Sequence, residues 1–165
     1  MQTILVAAEA PWVRDLVRAT FTGPDQRVVE CERGQDVRRA VAELGPDLVI
    51  LDLQIGNMGG VAVALDLRLE AGEGRLPDTP IVLLVDREAD RFLARRADVD
   101  LVLVKPVDPG ILRRRVRELL EPSGDGEADA PPGVGESSPG ESAAARPPDP
   151  SAEATPPGPE LSAAP

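Results

Sequence analysis

The sequence predicts an α/β fold: a three-layer α/β/α sandwich around a five-stranded parallel sheet, followed by a segment of different character. Three observations carry this expectation. Short apolar runs alternate with helical patterns from Thr3 to Leu120. The run Leu48-Val49-Ile50-Leu51 is apolar without a break, as in a strand covered on both faces, whereas a half-exposed strand would alternate with polar residues. From Glu121 onward Pro, Gly, Ser, Ala and acidic residues dominate.

In chain order, a strand at Thr3 to Ala7 is followed by a helical pattern at Pro11 to Phe21, and a strand at Arg27 to Cys31 by one at Gln35 to Leu44. The third strand, Leu48 to Leu53, is introduced by Gly45-Pro46-Asp47 and followed by a helix at Gly60 to Leu69. A strand at Ile81 to Val85 leads into a helix at Arg87 to Arg96, and one at Leu101 to Val104 into a helix at Pro109 to Leu120. In that last helix Ile111, Leu112, Val116, Leu119 and Leu120 fall on one face, while Arg113, Arg114, Arg115 and Arg117 largely occupy the others. Five strands alternating with five helices imply a parallel sheet. Right-handed crossovers then leave the flavodoxin-like strand order 2-1-3-4-5 as the leading topology.

The composition divides the chain into a domain at 1–120 and a tail at 121–165. The tail has Val134 and Leu161 as its only larger aliphatic residues and cannot bury enough apolar surface to offset its ordering entropy, so it is expected to be disordered. Of the chain's net charge of −11, the tail holds −8 and the body −3. A near-neutral body argues against a basic nucleic-acid footprint, and an acidic tail repels nucleic acid and anionic membranes. Neither is an expected direct partner. Cys31 is the only cysteine and histidine is absent, which excludes within this chain a disulfide, imidazole metal sites and catalysis by Ser-His-Asp or Cys-His. The start Met-Gln-Thr-Ile-Leu-Val lacks a basic region and a cleavage site, and no apolar run approaches about 18 residues. A cytoplasmic protein is the expectation.

One charge stands out against this pattern. Asp52 directly follows the apolar run of the third strand. In the middle of a covered strand an ionised carboxylate would be costly to desolvate; at the carboxyl end it projects into the crevice where open α/β sheets bind ligands. The alternative is a loop cap made through backbone hydrogen bonds. The proposed topology gathers at the same crevice Ala8-Glu9-Ala10-Pro11 after strand 1, Asp52-Leu53-Gln54 after strand 3, Val85-Asp86 after strand 4 and Lys105-Pro106 after strand 5. Carboxylates and an ammonium gathered there suit a hard divalent cation and a phosphoryl group. Neither a P-loop nor a GxGxxG sequence occurs.

The stretches ILVAAEAPWVRDLV, PDLVILDLQIGNMGG, TPIVLLV and LVLVKPVDPGILRRRVREL resemble the receiver domain of bacterial two-component response regulators, over essentially Gln2 to Leu120. The resemblance implies that Asp52 accepts a phosphoryl group from a kinase phosphohistidine or a small phosphodonor, with Mg²⁺ shielding the charge. It makes Lys105, followed by Pro106 through what is usually a cis peptide, the phosphoryl-binding residue. It makes Glu9, Asp52 and the backbone carbonyl of Gln54 the metal ligands. Partners implied are a sensor histidine kinase or phosphotransfer protein, with a downstream partner or second copy at helix 4, strand 5 and helix 5. Beyond self-phosphorylation and self-dephosphorylation, no enzyme activity is expected.

Three positions depart from the family pattern. Ala8 replaces the first carboxylate of the acidic pair, a loss expected to weaken metal binding by ~10–100-fold. Val85 replaces the hydroxyl that reaches the phosphoryl group, and Val102 replaces the aromatic that swings behind it. Two receiver readings stay open: a stand-alone phosphoacceptor, and a pseudo-receiver that works as a phosphorylation-independent interaction module. Simple drift is the alternative account of the three substitutions. A flavin-binding protein is a third class, disfavoured because Ala8 to Pro11 lacks a phosphate cradle. Trp12 suits packing or a partner contact, the helix 5 arginines a solvated face or a docking surface, and Asp86 a loop cap or an added ligand.

Overall fold

The computed structural model describes residues 1–121. Within them each apolar run forms one strand: β1 (Gln2–Ala7), β2 (Gln26–Cys31), β3 (Leu48–Asp52), β4 (Ile81–Val85) and β5 (Leu101–Val104). All neighbouring pairs are parallel, in the order β2-β1-β3-β4-β5. The helices are α1 (Pro11–Thr20), α2 (Gly34–Leu44), α3 (Gly60–Gly72), α4 (Arg91–Arg96) and α5 (Pro109–Leu120). The expected flavodoxin-like topology is the observed one. The expected tail lies outside the described residues beyond Glu121.

Period-two alternation along the strands sorts the core into two layers. Leu5, Val49, Leu51, Ile81, Leu83 and Val85 pack toward α2, α3 and α4 with Val37, Val63 and Ala94. Ile4, Val6, Leu48, Ile50, Val82 and Leu84 pack toward α1 and α5 with Val13, Val17, Leu112 and Val116. The three inner strands β1, β3 and β4 are covered on both sides, which is why β3 and β4 are buried along their whole length. Among the described residues no helix is long and apolar enough to cross a membrane.

Local chemistry places the element ends. Asp108 caps α5, accepting from the backbone N–H groups of Gly110 at 2.8 Å and Ile111 at 3.0 Å, with Pro109 where a helix needs no donor. Gly45 ends α2 in the left-handed region at φ 52°. Gly60 begins α3 so close to β3 that a Cβ would stand 2.2 Å from the carbonyl oxygen of Asp52. No larger residue fits unless the α3 start or the end of β3 moves.

The structure corrects three details. The helix expected over Arg87 to Arg96 is split: Asp90 accepts from the Arg87 N–H at 3.0 Å, closing a 3₁₀ turn at Glu88–Asp90 before α4 begins. Ile111, assigned by periodicity to the apolar face of α5, is 45% exposed; Leu112 and Val116 carry that face into the core, with Leu119 and Leu120 packed at its edge. α3 runs on to Gly72, three residues past the expected end.

Candidate functional site

Asp52 is the last residue of β3, in register with Leu84 of β4, and only 1% exposed. Its depth follows from its strand, which is flanked by β1 and β4 and cannot reach solvent except at its carboxyl end. Lys105 arrives from the end of β5, where its backbone N–H is held by the Val85 carbonyl at 2.8 Å and the Lys105–Pro106 bond is cis. The Lys105 Nζ donates to Asp52 Oδ1 at 2.6 Å and meets Asp86 Oδ1 at 3.0 Å. The ring of Trp12 covers another side, its centroid 5.6 Å from the ammonium.

The Lys105 side chain is buried, as is Asp52, whereas Asp86 is exposed. Burial by itself would lower the pKa of Lys105, but hydrogen bonds to Asp52 and Asp86, with their charges, outweigh that and hold it above the ordinary lysine value. The buried Asp52 carboxylate is thus compensated in the way a desolvated charge requires. The hydrogen bonds to Asp52, from Lys105 and from the Gln54 N–H at 3.4 Å, both fall on Oδ1. Among the described residues nothing donates to Oδ2, which keeps its lone pairs for an electrophile or a cation.

Glu9, Asp52, Gln54, Asp86 and Lys105 line one open pocket of about 550 Å³ with Trp12 at its rim. The structure therefore brings together Glu9, Asp52, Gln54 and Lys105, the residues expected to hold metal and phosphoryl group. The donors offered by Glu9, Asp52 and the Gln54 carbonyl are all oxygen, which suits Mg²⁺, an ion that keeps several waters. Among the described residues no three acidic or cysteine side chains gather closely enough to form a metal cluster on their own.

The three departures have a common physical expression. Ala8 is completely buried in the layer facing α1 and α5, so a methyl fills the space beside Glu9. Val85 is completely buried in the opposite layer, and the partly buried Val102 packs against that same layer. Both valines serve the core where a hydroxyl or a ring would serve the pocket.

Two residues of the site were underread in the sequence. Asp86 does not cap the loop after β4. Its Oδ2 accepts from Gln54 Nε2 at 3.1 Å and its Oδ1 faces Lys105, because the β4 end lies beside the β5 end, where the lone ammonium is the strongest local attraction. The capping belongs to Asp90. Arg14 of α1 turns inward: its Nη1 donates to the carbonyls of Ala8 at 2.7 Å and Glu9 at 2.8 Å, and it pairs with Glu30 and Glu32. It fixes the loop that presents Glu9. Lys105, already expected at the site, is also the only lysine among 18 basic residues.

Comparison with known proteins agrees with this geometry. Residues 4–117 match the family described as response regulator receiver domain. The DNA-binding response regulator MtrA of Mycolicibacterium smegmatis is 32% identical over 78% of this chain and 54% of its own length. The phosphate regulon transcriptional regulatory protein PhoB of Pseudomonas aeruginosa is 26% identical over 79% and 56%. The chain thus spans about half the length of these curated relatives. The BeF3-activated N-terminal receiver domain of Klebsiella pneumoniae RstA superposes with a TM-score of 0.64 at 28% identity, covering 73% of this chain and 100% of that one. TrrA of Thermotoga maritima, solved in complex with Mg(2+)-BeF, gives 0.63 at 27% identity, covering 72% and 99%. Vibrio cholerae CheY4, at 19% identity and a TM-score of 0.63 over 72% of this chain and 98% of that one, shares the fold. The strand order, the buried Asp52–Lys105 pair and the match over residues 4–117 lead to one conclusion: the chain belongs to the response regulator receiver domain family of two-component signalling.

Proposed function

We propose that this receiver accepts a phosphoryl group on Asp52 from a sensor histidine kinase, a phosphotransfer protein or a small phosphodonor, and acts through protein contacts. The observation that carries the reading is the placement of Asp52: one oxygen neutralised by Lys105 at 2.6 Å, the other without a donor among the described residues, in an open pocket. In the transfer, Asp52 Oδ2 attacks phosphorus as the bond from phosphorus to the donor breaks and its electron pair leaves with the donor group. Lys105 pairs with the incoming phosphoryl oxygens as a point charge. Glu9, Asp52 and the Gln54 carbonyl would hold Mg²⁺, which when bound neutralises phosphoryl charge. Beyond this self-phosphorylation, and the self-dephosphorylation that returns the free carboxylate, we assign the chain no enzymatic activity.

Incubation with acetyl phosphate and Mg²⁺ tests the reading. A mass gain of about 80 Da, one phosphoryl group, is expected in the wild type and absent in Asp52→Asn; a wild type that gains no mass removes the acceptor role. The −3 charge of residues 1–120 supports protein partners over direct DNA contact for this domain. The half-exposed Phe92 of α4 and the α5 arginines support a partner, or a second copy, docking at α4, β5 and α5.

The burial of Ala8 and Val85 in the core, with the partly buried Val102 packed against it, favours a second reading, a pseudo-receiver that binds its partner in one state. Partner binding that is equal for wild type and Asp52→Asn, with or without phosphodonor, distinguishes it.

A further inference from the structure

Asp86 is the charged residue lining the pocket to which acceptor chemistry gives no task. Its carboxylate is engaged at both oxygens, on Lys105 at 3.0 Å and on Gln54 Nε2 at 3.1 Å, so it spans the pocket mouth from the end of β4 to the loops after β3 and β5. An exposed ion pair alone would mean little, but this one consumes a second N–H of a buried ammonium whose first is on Asp52. A phosphoryl group brings about two negative charges and three acceptor oxygens. Placed on Asp52, it competes for Lys105 and repels Asp86.

We propose that Asp86 is an anionic latch: it occupies Lys105 at the rim of the open pocket in the resting state, and a phosphoryl group on Asp52 expels it. The inference rests on the reading of Asp52 as acceptor. It supplies the differential contact between two states that a population shift requires, in a molecule whose Val85 and Val102 cannot supply it through a hydroxyl and a ring. The output is direct, because Asp86 leads within one residue into the Glu88–Asp90 turn and α4, where Arg91 is bonded to the Val102 carbonyl at 3.2 Å. Asp86 is a positioning residue, acting through Lys105.

The test uses the full chain as wild type, Asp86→Ala and Asp86→Asn, the last preserving shape while removing charge. Acetyl phosphate should label Asp86→Ala on the order of tenfold faster than wild type, since a like charge no longer faces the donor, and Asp86→Asn should recover most of that gain. Amide hydrogen exchange over residues 87–96 should rise in the wild type on adding Mg²⁺ and beryllofluoride, and should already be raised in unmodified Asp86→Ala. Equal labelling rates with unchanged exchange in both variants overturn the latch and leave the acceptor intact. Absence of any adduct in all three proteins overturns the acceptor reading and the latch with it. A rate gain in Asp86→Ala without one in Asp86→Asn overturns the electrostatic mechanism, because bulk rather than charge would then hinder the donor.

Discussion

The carboxyl end of the sheet has two halves built to different ends. On one side, the ends of β3 and β5 hold Asp52 and Lys105 in a buried ion pair with Glu9 alongside. On the other, Val85 of β4 and Val102 of β5 are packed into the α2–α4 layer. The first half is poised for charge chemistry, and the second behaves as core. Phosphoryl acceptance needs only the first half: a free oxygen, a compensating cation and room. Transmission needs groups that touch the phosphoryl in one state and something else in the other; an aliphatic side chain fixed in a core makes the same contacts in both. On the proposed reading, a receiver can keep the acceptor position without the hydroxyl and the ring that Val85 and Val102 replace.

The sharpest way to break this comparison is to unpair the charged half. Lys105→Ala leaves a carboxylate that is 1% exposed without its cation, and should destabilise the protein by about 3–5 kcal/mol in urea denaturation near neutral pH. A loss under about 1 kcal/mol would mean that water reaches Asp52 and that the two halves do not differ in kind. Next in size is Gly60→Ala, which drives a methyl against the Asp52 carbonyl and should cost about 1–3 kcal/mol by overpacking; it should also slow labelling of Asp52, because the end of β3 has to shift.

The aliphatic half is probed by Val85→Thr. If Val85 belongs to the core, the hydroxyl is buried without a partner and costs about 1–3 kcal/mol in the same unfolding measurement. A neutral or stabilising result would show that the hydroxyl reaches the pocket, and that the valine is a removable block. Ala8→Asp restores a second acid beside Glu9 and should tighten Mg²⁺ by ~10–100-fold, read by titrating the fluorescence of Trp12, the only tryptophan. Unaltered affinity would show that the buried position holds its carboxylate away from the ion.

The smallest expected effect is in alkali. The folded-state pKa of Lys105 is raised by Asp52 and Asp86 against the opposing effect of burial. Its contribution to stability is therefore complete below the unfolded value, about 10.4, and is lost as pH rises through the higher folded value. Urea midpoints of wild type should fall more than those of Lys105→Arg across that window. Cys31, whose thiol is raised first by burial and then by Asp36, loses stability in the same direction but is common to both proteins, so the difference isolates the lysine. Parallel curves would place Lys105 in a solvated site.

The amino-acid sequence by itself determined the sheet and its order, because each apolar run is bounded by turn residues and only a sheet covered on both faces accommodates LVILD and IVLLV. It also marked Asp52, since a charge directly after such a run is conspicuous by its cost. Glu9, Gln54 and Lys105 could be placed near it from strand ends alone. What tertiary structure decided was pairing and direction. The turn of Arg14 inward to the Ala8 and Glu9 carbonyls, the outward Ile111 and the 3₁₀ turn before α4 depend on neighbours that no local pattern specifies. The decisive case is Asp86: as a sequence position it was one more acid at the crevice, suited to a loop cap or to an added ligand. Only the parallel register of β4 and β5, which sets Val85 beside Val104, brings it to the single ammonium of Lys105. A carboxylate binds whichever cation the fold delivers, and that delivery is long-range.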